Sequence, residues 1–364
     1  MATVALIEPY YGGSHKYWAD RLKSYSRHDI DVYHLPPRHW KWRMQGSAYT
    51  LSKQVNSSSK QYDLYLCSSM IDLAFFKSLI DTPKAPMILY MHENQLHYPI
   101  SVYDKQADLD LSYGYLNYKS CLAADHVMFN SYYHKDKFLE SCSHLLSKMP
   151  DFKNIESIDQ ISRKSVVTPI GLDVSMMDNH LNYPKKLNKT AKILWNHRWD
   201  YDKNPEMFYA LLKALDAEKL DFKLVLTTST RGSSETLNKI IKEFEDQIEY
   251  IGYLESRNAY FETLSKCHIC PVPQGHDYFG LSVLEAVHLG VYPILPKDSV
   301  YEEHFNTQTC QDVFYSDMDG FIQSCIQAIS LHKQLSFAGQ EHTKQYDWLK
   351  VIHQYDSFID SLHV

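Results

Sequence analysis

The chain has no excess of positive charge. Its 37 Lys and Arg stand against 44 Asp and Glu, a formal net charge of -7, which argues against a generally basic nucleic-acid coat and leaves room only for a local basic patch. No apolar run approaches the ~20 residues that a membrane-spanning helix needs. The opening Met-Ala-Thr-Val-Ala-Leu-Ile-Glu8 lacks the long apolar core of a secretory leader and runs straight into a strand pattern, so the expectation is a cytoplasmic protein with no membrane partner. Seven cysteines, an odd and scattered number, fit reduced thiols better than a disulfide framework. Cys267 and Cys270 form a lone C-x-x-C with no second pair nearby, which reads as core cysteine rather than zinc ligand. Internal repeats and low-complexity segments are also absent.

What is present is the composition of a globular protein, 44% hydrophobic and 22% charged, long enough at 364 residues for two or three domains. Short apolar runs at 3–7, 30–35, 64–67, 87–91, 127–129 and 166–172 read as strands, with helical patterns at 16–26, 113–123 and from 132. The alternation restarts after a polar stretch at 178–190, with strands at 192–198, 222–226, 249–252, 269–271 and 291–295. Helices are expected near 205–215, 235–244, 257–267, 320–332 and 349–362. This predicts an α/β protein of two doubly wound, Rossmann-like domains facing a central cleft. The expected boundaries are residues 1–180, 191–345 and a C-terminal helix at 346–364 that packs back on the first domain.

The most informative stretch is Gly275-His-Asp-Tyr-Phe-Gly-Leu-Ser-Val-Leu-Glu285, leading to Gly290 and a buried strand. Apolar residues at 281, 284, 287 and 289 suit one buried face of a helix. Gly280 lets backbone approach a ligand, and the N–H groups of residues 280–282, with Phe279 just before them, suit an anion such as a diphosphate. Glu285, one turn further, suits a sugar diol, while Asp277 stays on the loop before the phosphates. Arg198 and Lys203, five apart before a helix opened by Pro205, suit the neutralisation of a leaving diphosphate. The bland alternatives are a loop-helix-strand unit with solvated carboxylates, and a surface Arg and Lys.

In the first half, Gly12 and Gly13 follow the first strand without the G-x-G-x-x-G spacing of dinucleotide folds, with Ser14 as N-cap and His15 as a donor to a ligand or an exposed side chain. His92, Glu93 and Asn94 follow another strand, where open α/β sheets place their ligands; His92 is a candidate for sugar contact or proton handling. Arg38-His39-Trp40-Lys41-Trp42-Arg43 reads as a loop whose cations and tryptophans suit phosphate contact and base stacking, or as tryptophans anchoring that loop on the core. Asp104 to Asp110 reads as an acidic surface segment.

Together these motifs resemble the retaining family 4 glycosyltransferases of GT-B architecture, whose E-x7-E signature matches Asp277 to Glu285 and whose Arg-Lys pair matches Arg198 and Lys203. Within them, Ile7-Glu-Pro-Tyr-Tyr-Gly-Gly-Ser-His-Lys16, Leu35 to Arg43, Tyr90 to Pro99, Ile193 to Trp199, and Tyr292-Pro with Pro296-Lys-Asp-Ser-Val-Tyr301 look like the tRNA-queuosine α-mannosyltransferases. The resemblance implies transfer of mannose from GDP-mannose to the cyclopentenediol of queuosine in tRNA, with retention, no catalytic metal and no cofactor beyond the donor. It implies His92, Arg198, Lys203 and Asp277 as the catalytic set. Gly12, Gly13, Phe279, Gly280, Leu281, Ser282 and Glu285 would join the cations on the donor. His15, Arg38, Trp40, Lys41, Trp42, Arg43, Glu93 and Asn94 would face the tRNA. Asp277 departs from the signature's glutamate: it keeps the charge but is one methylene shorter. Two other readings stay open here, a family 4 transferase acting on a lipid or polysaccharide, and a non-catalytic nucleotide-sugar-binding protein.

Overall fold

A computed structural model describes residues 1–81, 84–98, 107–181, 189–228, 234–273, 275–335 and 337–362, with backbone alone at 107–110. The acidic segment read at 104–110 and the polar stretch at 178–190 therefore lie partly outside the described residues. By its internal contacts the chain divides into two units, Met1–Gly171 with Trp348–Val364, and Leu172–Asp347.

The first unit runs β1 (Thr3–Glu8), α1 (Gly13–Tyr25), β2 (Asp29–His34), α2 (Trp40–Asn56), β3 (Leu64–Ser68), α3 (Leu73–Leu79), β4 (Met87–Met91), α4 (Ala107–Ala123), β5 (His126–Phe129), α5 (Tyr132–Ser147), α6 (Glu156–Arg163) and β6 (Ser165–Val167). Its six strands form one parallel sheet in the order β2-β1-β3-β4-β5-β6. Every residue of β3 and β4 is buried, as expected where helices cover both faces of a parallel sheet. The strand order reverses direction at β1 and β3, which places a ligand crevice at the carboxyl end of β1.

Three local readings need correction. Residues 40–43 are the first turn of α2 rather than a loop. His39 turns the chain in a left-handed conformation (φ 56), and Met44, Ala48, Leu51 and Val55 then recur at helical spacing on a buried stripe. The N-cap of α1 is Gly12, not Ser14, and it makes no side-chain cap bond. A Cβ on Gly12 would come 2.5 Å from the Pro37 side chain, so only glycine fits where the loop after β1 crosses the Pro36-Pro37 segment. Finally, β6 stops at Val167, the Thr168 N–H making the last bond to the sheet, to the Phe129 carbonyl at 2.8 Å.

The second unit runs α7 (Val174–Asp178), β7 (Ala191–Trp195), α8 (Pro205–Ala217), β8 (Phe222–Leu226), α9 (Glu235–Glu243), β9 (Ile248–Ile251), α10 (Arg257–Ser265), β10 (Ile269–Pro271), α11 (Leu281–His288), β11 (Tyr292–Pro296), α12 (Tyr301–His304), β12 (Phe314–Tyr315), α13 (Met318–Ser330) and α14 (Gly339–Thr343). Its parallel sheet has the order β12-β11-β10-β7-β8-β9, with the switch point between β7 and β10. The core joins Phe208, Leu211, Leu212 and Leu215 of α8 to Trp195, Phe222 and Leu224 of the sheet. α11 is buried at every position from Val283 to His288, not on one face alone, because α7, α10, α14 and β11 all pack against it.

The last helix, α15 (Trp348–Leu362), belongs to the first unit. Trp18 Nε1 donates to the Tyr355 hydroxyl at 3.0 Å, and that hydroxyl donates to the Pro169 carbonyl at 3.0 Å. Trp348 and Tyr355 are fully buried, and Asp356 accepts from Ser26 Oγ at 2.6 Å. All seven cysteines are buried and unbridged, Cys267 and Cys270 included. Among the described residues no helix is long and apolar enough to cross a membrane.

Candidate active site

In the second unit the chemistry collects at the switch point. β7 runs into Asn196, His197 and Arg198, and one 3-10 turn, Tyr201–Lys203, follows. After β10 the chain passes through Asp277 into α11. Lys203 Nζ lies 2.7 Å from Asp277 Oδ1 and 3.2 Å from Asp202 Oδ2, and donates to the His276 carbonyl at 3.3 Å. The Tyr301 hydroxyl donates to the other Asp277 oxygen, Oδ2, at 2.5 Å. Arg198 lies further out, its side chain 63% exposed, with Nη1 2.7 Å from Asp200 and Nη2 3.4 Å from Asp202.

Burial alone would push the Asp277 carboxyl up, but Lys203, then His197, and the hydrogen bonds from Lys203 and Tyr301 hold it down at about 2. Burial likewise opposes the charge on Lys203, and Asp277 and Asp202 outweigh it, so the lysine pKa is raised. At neutral pH this is a fixed ammonium between two carboxylates. Neither Lys203 nor Asp277 exchanges protons there; both present charge. His197 beside them is pushed down to about 4, chiefly by burial, and stays a neutral imidazole. Its Nε2 is buried with no hydrogen-bond partner among the described residues.

Gly280 opens α11 in the left-handed region (φ 70), where a Cβ would come 2.6 Å from the Tyr301 ring. The N–H groups at this helix start have no intrahelical acceptor and carry the positive end of the dipole. Asn196 Nδ2 donates to the Ser282 carbonyl at 2.8 Å, tying the helix start to the end of β7. Leu281 and Ser282 are half-buried. Phe279 is buried edge-on to His304 and Tyr346, and its carbonyl accepts from His304 Nε2 at 2.7 Å, so its ring fixes the loop from below. Glu285 is 2% exposed and paired with Arg257. Burial raises its pKa, against the opposing pull of Arg257.

In the first unit, Glu8 ends β1 fully buried, and His15 Nδ1 lies 3.2 Å from each of its carboxylate oxygens. His92, after β4, sets its ring 4.2 Å from that of His15, tilted by 38°, and has Nε2 3.9 Å from Glu8 Oε2. One donor atom from each of Glu8, His15 and His92 lies within 4.8 Å of the others, the grouping among the described residues close enough to hold a metal ion. Gly12 is extended (φ -168) and Gly13 left-handed (φ 53). Asn94 is buried, and its Oδ1 accepts from the N–H groups of Leu96 and His97 at 3.1 and 2.9 Å, holding the turn. Glu93 is half-buried and accepts from Gln95 at 3.2 Å.

The two tryptophans of the basic segment separate. Trp40 packs on Tyr113, ring centroids 5.3 Å apart, beside Tyr10, Met44, Met70 and Leu116. Trp42 is 64% exposed and lies over Gly46, within 2.6 Å of where a Cβ would stand. Lys41 sits over the Trp40 ring, Arg43 donates to the Pro36 carbonyl at 3.2 Å, and Arg38 is exposed.

A sequence model described as tRNA-queuosine alpha-mannosyltransferase N-terminal matches residues 3–172. The chain is also 32% identical over 315 residues to a Drosophila melanogaster protein named tRNA-queuosine alpha-mannosyltransferase, covering 82% of this chain and 81% of that one. The chain belongs to the tRNA-queuosine alpha-mannosyltransferase family. Its fold is GT-B, shared with a sucrose-phosphate synthase from Thermosynechococcus elongatus (TM-score 0.72, 14% identity, 100% and 99% of the two chains covered). Anabaena HepE, solved in complex with UDP and glucose, is similar as well (TM-score 0.70, 13% identity, 99% and 100% covered). At such identities these structures speak for the fold alone. Sequence reasoning did not single out Glu8, His197, Asp202, Arg257, Tyr301 and His304, which stand beside the candidate residues His15, Asp277, Lys203, Glu285 and Phe279. Glu8, His197 and Tyr301 stand inside the segments that carry the family resemblance, but nothing in their spacing marks what they touch.

Proposed function

We propose that this glycosyltransferase moves mannose from GDP-mannose to the cyclopentenediol of queuosine in tRNA, in the cytoplasm, with retention and without a catalytic metal. The observation that carries the reading is the Lys203 ammonium, buried between Asp277 and Asp202 beside the N-terminus of α11. Departure of GDP breaks the bond from the anomeric carbon to a phosphate oxygen, and the charge that develops there needs a preorganised cation and N–H donors. Lys203 and the N–H groups of residues 280–282 supply them, and Arg198 adds a second cation able to swing with the ligand. Glu285 is assigned to the ribose, Asp277 to the sugar hydroxyls and to holding Lys203, and His92, Gly12 and Gly13 to the sugar. Arg38, Lys41 and Arg43 are assigned to tRNA phosphates, and Trp42, seated on Gly46 with its ring exposed, to an unpaired base.

The test is mass spectrometry of queuosine-containing tRNA after incubation with the protein and GDP-mannose. One added hexose on queuosine is expected; no mass change with GDP-mannose or any other common nucleotide sugar refutes the proposal. A thermal-shift series with GDP- and UDP-sugars separates the donors, since a ligand that binds only the folded state raises its melting point.

A further inference from the structure

We propose that Arg257 is the positioning residue of the donor's ribose subsite: its guanidinium covers Glu285 in the free protein and passes to Asp173 when the nucleotide binds. This rests on the assignment of Glu285 to the ribose made above. All the groups involved belong to the second unit. Arg257 opens α10, and Tyr260 and Phe261 follow at helical spacing on the same face, so the guanidinium lies over both rings, 5.5 and 4.4 Å from their centroids. From there Arg257 Nη2 donates to Glu285 Oε1 of α11 and lies 4.0 Å from Asp173 Oδ2, at the head of α7. One guanidinium is thus shared by two carboxylates whose residues are 2% and 5% exposed.

Glu285 as it stands is out of a ligand's reach. No ribose hydroxyl can bond a carboxylate this buried until a group that touches it moves. Two side chains bond it, Arg257 and Tyr260. Tyr260 is tied to the start of α11, since its hydroxyl accepts from Asn196 Nδ2 at 3.5 Å and Asn196 also donates to the Ser282 carbonyl at 2.8 Å. Arg257 keeps 34% of its side chain exposed and is the group with room to shift. Its destination is close. The Asp173 carboxylate caps no N–H of α7, and a shift of roughly 1 Å would bring the guanidinium from 4.0 Å to the ~2.8 Å of a charged hydrogen bond.

The exchange needs both partners. A buried carboxylate stripped of its cation is strongly unfavourable, so Arg257 leaves Glu285 only as other donors arrive. The two O–H groups of a ribose diol are such donors: they replace the N–H bond on Glu285 while the guanidinium stays among carboxylates on Asp173. A nucleotide without those hydroxyls cannot drive the exchange. The subsite therefore selects ribose over deoxyribose by leaving a buried acceptor unsatisfied in the wrong complex.

The experiment is calorimetric titration of the full chain with GDP and with 2′,3′-dideoxy-GDP. The wild type should prefer GDP by about tenfold or more. Asp173→Asn keeps the Arg257–Glu285 pair but removes the guanidinium's destination, so GDP affinity should fall about tenfold while dideoxy-GDP affinity stays the same. Arg257→Met should cut the preference to about threefold or less, and Arg257→Lys, which restores the charge without the planar fork, should recover part of it. Where Arg257→Met does not fold, the other two variants carry the test. In the transfer assay Asp173→Asn should raise the KM for GDP-mannose with kcat kept, because the ribose is bonded alike before and during the reaction. A purely structural role would weaken both nucleotides together or neither, and either result overturns the proposal. Equal wild-type affinities refute the ribose assignment itself, whereas a wild-type preference that no variant alters refutes the role of Arg257 alone.

Discussion

Removing the Lys203 ammonium is the sharpest probe of the donor side. Lys203→Met keeps the apolar stem and deletes the charge. It takes the ammonium from Asp277 and Asp202, whose side chains are 16% and 2% exposed, and leaves Arg198 3.4 Å from Asp202. Breaking one partner out of a buried ion pair costs about 3–5 kcal/mol. In a unit the size of Leu172–Asp347 each kcal/mol moves the melting point by about 2–4 °C, so a fall of roughly 6–20 °C is expected by calorimetry at pH 7. Adding Asp277→Asn removes the stranded charge and keeps an acceptor for Tyr301, so the double variant should recover about half of the loss or more. The pH dependence has a definite sign. Asp277 sits at about 2, below its ordinary 3.8, so its pairing contributes stability above 3.8 that fades as pH falls toward 2. The penalty of Lys203→Met should therefore shrink as the pH is taken below about 4. Additive losses in the double variant, or a penalty constant with pH, would show that Lys203 and Asp277 are not a pair.

Two further outcomes follow from single contacts. Gly280→Ala forces a Cβ into a left-handed position 2.6 Å from the Tyr301 ring, at a backbone cost of about 1–2 kcal/mol before Tyr301 moves off Asp277. Calorimetric titration should show GDP-mannose binding weakened about tenfold or more, and undiminished affinity would remove the α11 start from the donor site. Trp42→Ala, at a side chain 64% exposed, should leave stability within about 0.5 kcal/mol of wild type yet weaken tRNA binding roughly 5- to 150-fold if one base stacks there. Replacing Arg38, Lys41 and Arg43 together should flatten the salt dependence of that binding, and an unchanged slope would place the tRNA elsewhere.

Local patterns were legible to the residue where a buried strand is a short apolar run. β4, β8 and β10 occupy the ranges their composition indicates, 87–91, 222–226 and 269–271. The helix expected from 132 begins at Tyr132, where the Ser131 hydroxyl accepts from the His134 N–H at 2.9 Å. The start of α2 was missed because tryptophans and cations drew attention to composition, while the helical stripe begins only at Met44. α11 was read as one-faced because Leu281, Leu284 and Val287 form a periodic row. Its full burial comes from helices that are distant in sequence.

By itself, then, the sequence determined the strand and helix order, the parallel sheets that such alternation requires, and the family, through segments spread over both units. The tertiary structure alone decided which charges meet. Lys203 and Asp277 are 74 residues apart, and His15 reaches Glu8 only through the turn that follows β1. Periodicity and propensity act over a few residues, whereas the ionisation of a side chain depends on its depth and on whatever the fold sets beside it. That is why Asp277 could be named from its spacing to Glu285, while its low pKa, its Tyr301 partner and the Glu8–His15 pair emerged only from the packed structure.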